Sequence, residues 1–103
     1  MSYSVLRTDK AEEQIRDILF YIAEDSGSVE IALNYLDKLE KAVTNLALFP
    51  YAGMKPRYST LRKQGYLVLV VERHLIFYKV NDEEKTVTVY AAVDGRREYQ
   101  KLI

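Results

Sequence analysis

Apolar residues recur at helical spacing in the first quarter of the chain. A single helical face would carry Ala11, Ile15, Ile18, Leu19 and Ile22. This spacing predicts an amphipathic helix packed against a core. Asp9 followed by Glu12 has the spacing of a capping box, which predicts Asp9 as the N-cap of this helix. It is expected to end near Asp25, before the Ser-Gly-Ser sequence at 26–28.

A second helical pattern follows at once. Its apolar face would carry Ala32, Tyr35, Leu36, Leu39, Ala42, Val43 and Leu46. Ser28 is a suitable N-cap, and Pro50 marks the stop, because the residue before a proline avoids the helical region. Two amphipathic helices joined by so short a turn are expected to form an antiparallel hairpin.

Alternating or continuous apolar runs predict four strands, at residues 3–7, 66–71, 74–80 and 86–93. Glycine, proline and serine mark residues 50–60 as a loop, and the polar residues 81–84 read as a hairpin turn. In the last strand Val87, Val89, Ala91 and Val93 are expected on one face. Asp94-Gly95 ends that strand, and a charged segment, residues 96–99, follows it.

The order of these elements predicts an α+β fold of the form β-α-α-β-β-β, as a single domain over residues 1–103. Sequential strands joined by short turns favour a small, mainly antiparallel sheet. The helical hairpin should cover one face of that sheet. The other face should be partly exposed, or covered by something outside this chain, which suits a protein that binds a partner.

The amino-acid composition excludes several kinds of functional site. The 103 residues include no cysteine, which excludes a disulfide, a thiolate zinc site and a cysteine nucleophile. The four glycines are too far apart for a phosphate-binding loop, so neither a nucleotide cofactor nor a metal is expected. The N-terminus lacks the apolar stretch of a signal peptide, and no apolar run could span a bilayer, so a cytoplasmic location is expected.

Charge is balanced overall but divided between the two halves. Residues 1–49 carry five Lys or Arg and nine Asp or Glu, whereas residues 50–103 carry ten and six. The basic second half could meet an anionic partner, either nucleic acid or an acidic peptide, or it could be an ordinary mixed surface.

Three segments resemble the RelE/ParE superfamily of toxins, and more closely its ParE-like members. They are FYIAEDSGSVEIALNYLDKLEKAVTNLALFPYAG at 20–53, HLIFYKV at 74–80 and VYAAVDGRREY at 89–99. They occur in the family's order and span nearly the whole chain. The resemblance implies the toxin of a type II toxin–antitoxin module, with a role in growth inhibition and plasmid stabilisation. It also implies a cognate antitoxin protein as partner, and either a homodimer or a heterotetramer with that antitoxin.

The resemblance leaves two targets open: ParE-like members bind and inhibit DNA gyrase, and RelE-like members cut messenger RNA on the ribosome without a metal. The RelE-like site needs basic residues on the sheet. The arginine of its third strand falls on Leu75 here, and the lysines of the preceding strand fall on Tyr66 and Val68. Arg96 alone occupies an arginine position of that site. Asp94 stands where ParE-like proteins often carry a histidine.

Candidate site residues follow from these positions. Arg96, with Arg73 and His74, forms the candidate catalytic set, because arginine can hold a phosphate or a carboxylate and histidine can move a proton near neutral pH. The alternative for His74 is a surface residue at a strand start. Arg97, Tyr99, Arg62 and Lys63 are candidate target-binding residues. Tyr99 could stack on a base or close the sheet edge. Lys55, Arg57, Arg62 and Lys63, with Tyr58 among them, form a weak nucleic-acid pattern or a solvated loop.

The sequence therefore suggests three functions, in order of preference: a gyrase-binding toxin, a ribosome-dependent endoribonuclease, and a non-toxic relic that only binds its antitoxin. The neutral net charge and the incomplete RelE-like basic set favour the first.

Overall fold

The computed structural model describes residues 2–97 and 99–103, and it confirms the predicted β-α-α-β-β-β order with one additional short helix. The elements are β1 (Ser4–Arg7), α1 (Asp9–Ser26), α2 (Val29–Thr44), α3 (Ser59–Lys63), β2 (Leu67–Val71), β3 (His74–Asn81) and β4 (Thr86–Asp94). Single 3₁₀ turns lie at Asn45–Ala47 and Gln100–Leu102. Glu98, part of the predicted charged segment, lies outside the described residues.

The start of α1 differs from the prediction by one residue. Thr8, not Asp9, is the N-cap: its backbone is extended and its Oγ1 accepts a hydrogen bond of 3.1 Å from the amide of Ala11. Asp9 is instead the first helical residue, where its negative charge favours the helix dipole. Thr8 also donates to the carbonyl of Tyr90, so the cap ties α1 to β4.

The hairpin turn between α1 and α2 has the predicted form. Gly27 adopts φ +70°, a left-handed conformation that glycine tolerates without strain, and it ends α1. Ser28 then caps α2, as predicted, by accepting from the amide of Ile31 at 3.2 Å. α2 ends at Thr44, five residues before the expected stop at Phe49, because the chain tightens there into the 3₁₀ turn.

The sheet has the strand order β1-β4-β3-β2, so the first strand lies beside the last. β2, β3 and β4 run antiparallel as predicted, whereas β1 runs parallel to β4. The helical hairpin carries the chain from β1 to β2 at the opposite edge of the sheet, and β4 later returns beside β1 in the parallel direction, which no tight turn could achieve. The sheet is therefore mainly antiparallel with one parallel edge.

A β-bulge corrects the prediction for β4. Phe77 pairs with Ala91 but Tyr78 pairs with Val89, so Tyr90 is an extra residue on β4. The alternation of side chains reverses at that point. Val87 and Val89 pack with the helical hairpin, whereas Ala91 and Val93 pack on the opposite face, contrary to the single face expected.

The principal core lies between the sheet and the hairpin. Leu39, Val43 and Ile15 are buried there, and Ile18 is half-buried against them. The helix faces were thus predicted correctly.

The opposite face of the sheet is partly exposed, as expected, but its cover comes from this chain rather than from outside it. α3 and the C-terminal residues cover part of it and form a second apolar cluster, built on Leu61, Val68, Phe77, Ala91, Val93 and Tyr99. Tyr66, Lys79 and Tyr90 remain half-buried beyond that cover. Within residues 2–97 and 99–103, no helix has the length and apolar character needed to cross a membrane.

Candidate functional site

Three residues singled out from the sequence meet at one end of the sheet. His74, the first residue of β3, pairs in register with Asp94, the last residue of β4. The two-residue turn before β3 presents Arg73, and the turn after β4 presents Arg96. The tight first turn is made possible by Glu72, which adopts φ +53°. We call Arg73, Asp94, Arg96 and Arg97 the arginine rim.

Asp94 organises the arginine rim. Its Oδ1 accepts from the backbone amide of Arg96 at 2.9 Å and from Nε at 3.3 Å, and its Oδ2 lies 3.1 Å from Nη2 of Arg96. The Nε of Arg73 lies 3.9 Å from the same Oδ2. The hydrogen bonds from Arg96 lower the pKa of Asp94 to about 2, so this carboxylate stays ionised and holds both guanidinium groups in place.

The arginines stay open to a partner despite this pairing. The Arg96 side chain is 64% exposed and that of Arg73 is 40% exposed. The guanidinium of Arg73 also lies 5.9 Å from the ring centre of Tyr21 on α1. A guanidinium oriented in this way can take a carboxylate or phosphate through two parallel hydrogen bonds.

His74 is buried, with 5% exposure, so the alternative prediction, that it is a surface residue at the start of a strand, is wrong. Its Nδ1 lies 2.7 Å from the hydroxyl of Tyr35, which also lies 3.3 Å from the carbonyl of Val71. Burial lowers the pKa of His74, and neighbouring Asp94 opposes that shift only partly. The imidazole is therefore neutral near pH 7 and fixed in orientation, a form that could accept a proton.

A cleft of about 690 Å³ lies beside His74, between α1 and the end of β4. Its apolar wall includes Ile18 and Leu102, and its charged wall includes Asp17 with Asp94, Arg96 and Arg97. The C-terminal residues close one end, since Gln14 donates to the carbonyl of Leu102 at 3.1 Å while accepting from the amide of Ala92 at 2.9 Å. Two carboxylates beside two arginines make this cleft mixed in charge rather than basic.

The loop cations form a separate surface. Lys55, Arg62 and Lys63 line a hollow of about 490 Å³ with Tyr51 and Tyr66. We call these five residues the basic hollow. Arg62 also has a structural role, because its Nη1 donates to the carbonyls of Pro56 at 2.8 Å and Arg57 at 2.6 Å. Arg57 itself is not part of the hollow, and its guanidinium lies over the ring of Tyr58 at 5.1 Å.

Tyr99 lies in the core rather than on the surface. It is 4% exposed and packs against Phe77 and Tyr58, with ring centres 5.4 Å apart in both pairs. Its faces are thus engaged within the chain, so the structure favours the packing alternative over base stacking.

Apolar packing fills the positions where the RelE-like site has its strand cations. Val68 is 5% exposed in the second cluster, Leu75 packs against that cluster, and Tyr66 contacts Phe77 edge-on. Val68 and Leu75 carry no group that could stabilise a phosphorane or move a proton.

Two residues of the site were missed from the sequence in this role. Asp94 was predicted to end a strand and to replace the histidine of ParE-like proteins, but not to pair with Arg96, although its position two residues before Arg96 allows a local ion pair. Tyr35 was assigned to the apolar stripe of α2, and nothing in the helical pattern connects it to His74, 39 residues away. Within residues 2–97 and 99–103, no three acidic or histidine side chains come together in a way that could hold a metal.

The family model described as "ParE toxin of type II toxin-antitoxin system, parDE" matches residues 5–99. No curated protein sequence matches significantly. Among solved structures, the chromosomal ParDE toxin–antitoxin system of P. aeruginosa is similar with a TM-score of 0.73 and 18% identity, over 90% of this chain and 96% of that one.

Two other solved structures share the fold. The toxin–antitoxin complex RelBE2 of Mycobacterium tuberculosis has a TM-score of 0.64 and 16% identity, over 91% of this chain and 99% of that one. A double arginine-to-alanine mutant of the E. coli toxin RelE in the free state has a TM-score of 0.63 and 16% identity, over 99% of this chain and 90% of that one.

Proposed function

The chain belongs to the ParE toxin family of type II toxin–antitoxin systems, and on that premise we propose that it inhibits growth by binding DNA gyrase. The proposed site of contact is the arginine rim with its adjoining cleft. The proposed location is the cytoplasm, where such a target resides.

One observation carries the preference for a protein target: the places where messenger cleavage would need strand cations hold packed apolar side chains. Val68 and Leu75 contribute to the second cluster, and as apolar side chains they offer no positive charge to a scissile phosphate. The cleft also contains Asp17 and Asp94, which would repel successive phosphates of an RNA strand. An exposed arginine pair above an apolar wall suits a protein surface that offers a carboxylate.

A cognate antitoxin is the second proposed partner. Acidic, partly helical segments that fold on binding can cover a large surface, on the order of 2,000 Å² in total. The exposed arginines give such a segment a charged anchor, and the cleft beside them gives an apolar one. Antitoxin binding at the arginine rim would neutralise the toxin by covering the residues proposed to meet the target.

Metal-independent cleavage of messenger RNA on the ribosome stays the alternative, because Arg73, His74 and Arg96 do come together. A neutral, oriented imidazole could take a proton from a 2′-hydroxyl, and Arg96 could hold the charge that develops on the phosphate. The imidazole is 5% exposed, so this mechanism requires the substrate to reach it through the cleft.

The test compares purified toxin in two reactions: DNA supercoiling by gyrase, and cleavage of messenger RNA on programmed ribosomes. We expect inhibition of supercoiling and intact messenger. Arg96→Glu should lose the inhibition, whereas Lys41→Glu, the same charge change on the outer face of α2, should retain it. Cleavage of messenger without inhibition of gyrase would support the ribonuclease. Inactivity in both reactions would support a relic that only binds antitoxin.

A further inference from the structure

The basic hollow differs in charge from the cleft at the arginine rim. Of the described residues that line the hollow, three are cations and none is acidic. A fourth cation lies next to it, since Nζ of Lys79 is 4.5 Å from the ring centre of Tyr66. Tyr51 of the hollow bonds to the carboxylate of Asp82, whose two oxygens accept hydrogen bonds of 2.6 Å from Tyr3 and Tyr51. An excess of positive charge therefore remains in the hollow.

The loop that presents these cations is fixed in place. The amide of Gly53 donates to the hydroxyl of Tyr78 at 2.9 Å, and Met54 pairs with Val68 through two backbone hydrogen bonds. Farther along, Arg62 holds the carbonyls of Pro56 and Arg57. A pinned loop loses little backbone entropy when its cations bind a ligand. The hollow is thus a preorganised positive surface.

Backbone groups for binding an extended peptide are already used here. The amide and carbonyl of Val68 point away from β3 and bond to Met54, at 2.8 and 2.9 Å. The amide of Tyr66 bonds to the carbonyl of Leu61 at 3.2 Å. A peptide therefore cannot add as a strand next to the hollow. The groups that remain available to bind a ligand are the cationic side chains, and these favour a negatively charged ligand.

Base stacking on Tyr66 is also limited. The ring of Tyr66 contacts Phe77 and Tyr90 edge-on at about 90°, and Lys79 lies over it. A platform for single-stranded nucleic acid needs open aromatic faces. Contact through the phosphate backbone of a duplex needs only correctly placed cations.

We propose that the basic hollow binds the phosphate backbone of duplex DNA, without reading sequence. The inference rests on the proposed function in one respect: a toxin bound to gyrase would lie beside the DNA that gyrase holds. The arginine rim would then contact the protein while the basic hollow contacts DNA. Contact with three phosphates predicts a slope of roughly −3 for the logarithm of the binding constant against that of salt concentration.

The test uses the whole chain and a fluorescein-labelled 30-base-pair duplex, followed by fluorescence anisotropy at several salt concentrations. Dissociation constants on the order of 10⁻⁵ M are expected near physiological salt. Lys55→Glu with Lys63→Glu should weaken binding on the order of tenfold and reduce the salt slope to about −1. Both lysines are exposed, and Arg62 stays unchanged because it holds the loop.

Lys41→Glu, a single charge reversal on the outer face of α2, is the control, and it should leave DNA binding unchanged. No binding at 50 mM salt, or equal losses in the control, would overturn the proposal. Tighter binding of single-stranded RNA or of a glutamate-rich 20-residue peptide would overturn it in favour of those ligands. Binding of the double variant to gyrase without DNA is measured separately. The DNA result can therefore be interpreted even if the toxin does not bind gyrase. The gyrase result can likewise be interpreted even if the toxin does not bind DNA.

Discussion

The hydroxyl of Tyr35 lies 2.7 Å from Nδ1 of His74, so the middle of α2 is hydrogen-bonded to the first residue of β3. Tyr35→Phe would leave a buried imidazole nitrogen without this partner. We expect a loss of about 1–3 kcal/mol in the free energy of unfolding, measured by urea denaturation. Tyr21→Phe, at an exposed tyrosine on α1, should change stability by less than about 0.5 kcal/mol. Equal effects of the two variants would contradict the importance of the buried pair.

His74 should make stability depend on pH below neutrality. Its pKa in the folded state lies below the ordinary value of 6.5, so the unfolded chain binds more protons in this range. Stability is then fully present above pH 6.5 and falls as the pH decreases toward the folded pKa. Unfolding free energies at pH 7.5 and pH 5 should differ in the parent. The difference should shrink in His74→Gln, since the chain has one histidine. An unchanged slope would show that other groups cause it.

Asp82 should control the acidity of Tyr51. The hydrogen bond to Asp82 is the main cause that raises the pKa of Tyr51 to about 12. Asp82→Asn should bring that pKa back toward 10, as followed by NMR of ¹³C-labelled tyrosine. Tyr35 is an internal control, because burial raises its pKa to about 12 and it does not contact Asp82. A return of both tyrosines toward 10 would indicate a general loosening of the fold.

Leu39 tests the packing of the hairpin on the sheet. It is 1% exposed in the principal core, so Leu39→Ala should cost about 2–5 kcal/mol by opening a cavity. Leu33→Ala on the outer face of α2 is the control, since Leu33 is 57% exposed and should cost little. Melting temperatures measured by calorimetry would separate the two, and a Leu39→Ala protein as stable as the parent would contradict the assigned helix face.

Arg96 should matter most for toxicity, with Arg97 and Arg73 secondary. Arg96→Glu should abolish growth inhibition on induction in cells, and Arg96→Lys should weaken it because lysine keeps the charge but loses the two-pronged bond to Asp94. Colony counts after induction measure both. Co-expression with the antitoxin must be scored in parallel, since the antitoxin could cover the same arginine. Full toxicity of Arg96→Glu would exclude Arg96 from the site.

Much of the fold could be predicted from local patterns. The two helices, the Ser28 cap and the three antiparallel strands each follow from spacing within a short window, which is where hydrophobic periodicity is informative. The short α3 could not be seen, because five residues make a weak periodic signal inside a segment rich in glycine and proline. The bulge at Tyr90 was also invisible, since it exists only in the pairing of β4 with β3.

The candidate site was predicted in part. Arg73, His74 and Arg96 were identified, and their meeting point follows from the pairing of His74 with Asp94. The burial of His74 and Tyr99 could not be read from the sequence, because it depends on α2 and on α3 with the C-terminal residues, all distant along the chain. Tertiary packing, rather than residue type, decided those positions.

The placement of β1 beside β4 also has a consequence for synthesis of the protein. Ser4 pairs with Thr86, so β1 cannot pair with β4 until nearly the whole chain has been synthesised. Closing so long a loop is slow relative to forming the helical hairpin or the β2–β3 turn. His74 meets Asp94 only when the same last strand is available. During translation the nascent chain therefore lacks the completed arginine rim until residue 97 has left the ribosome.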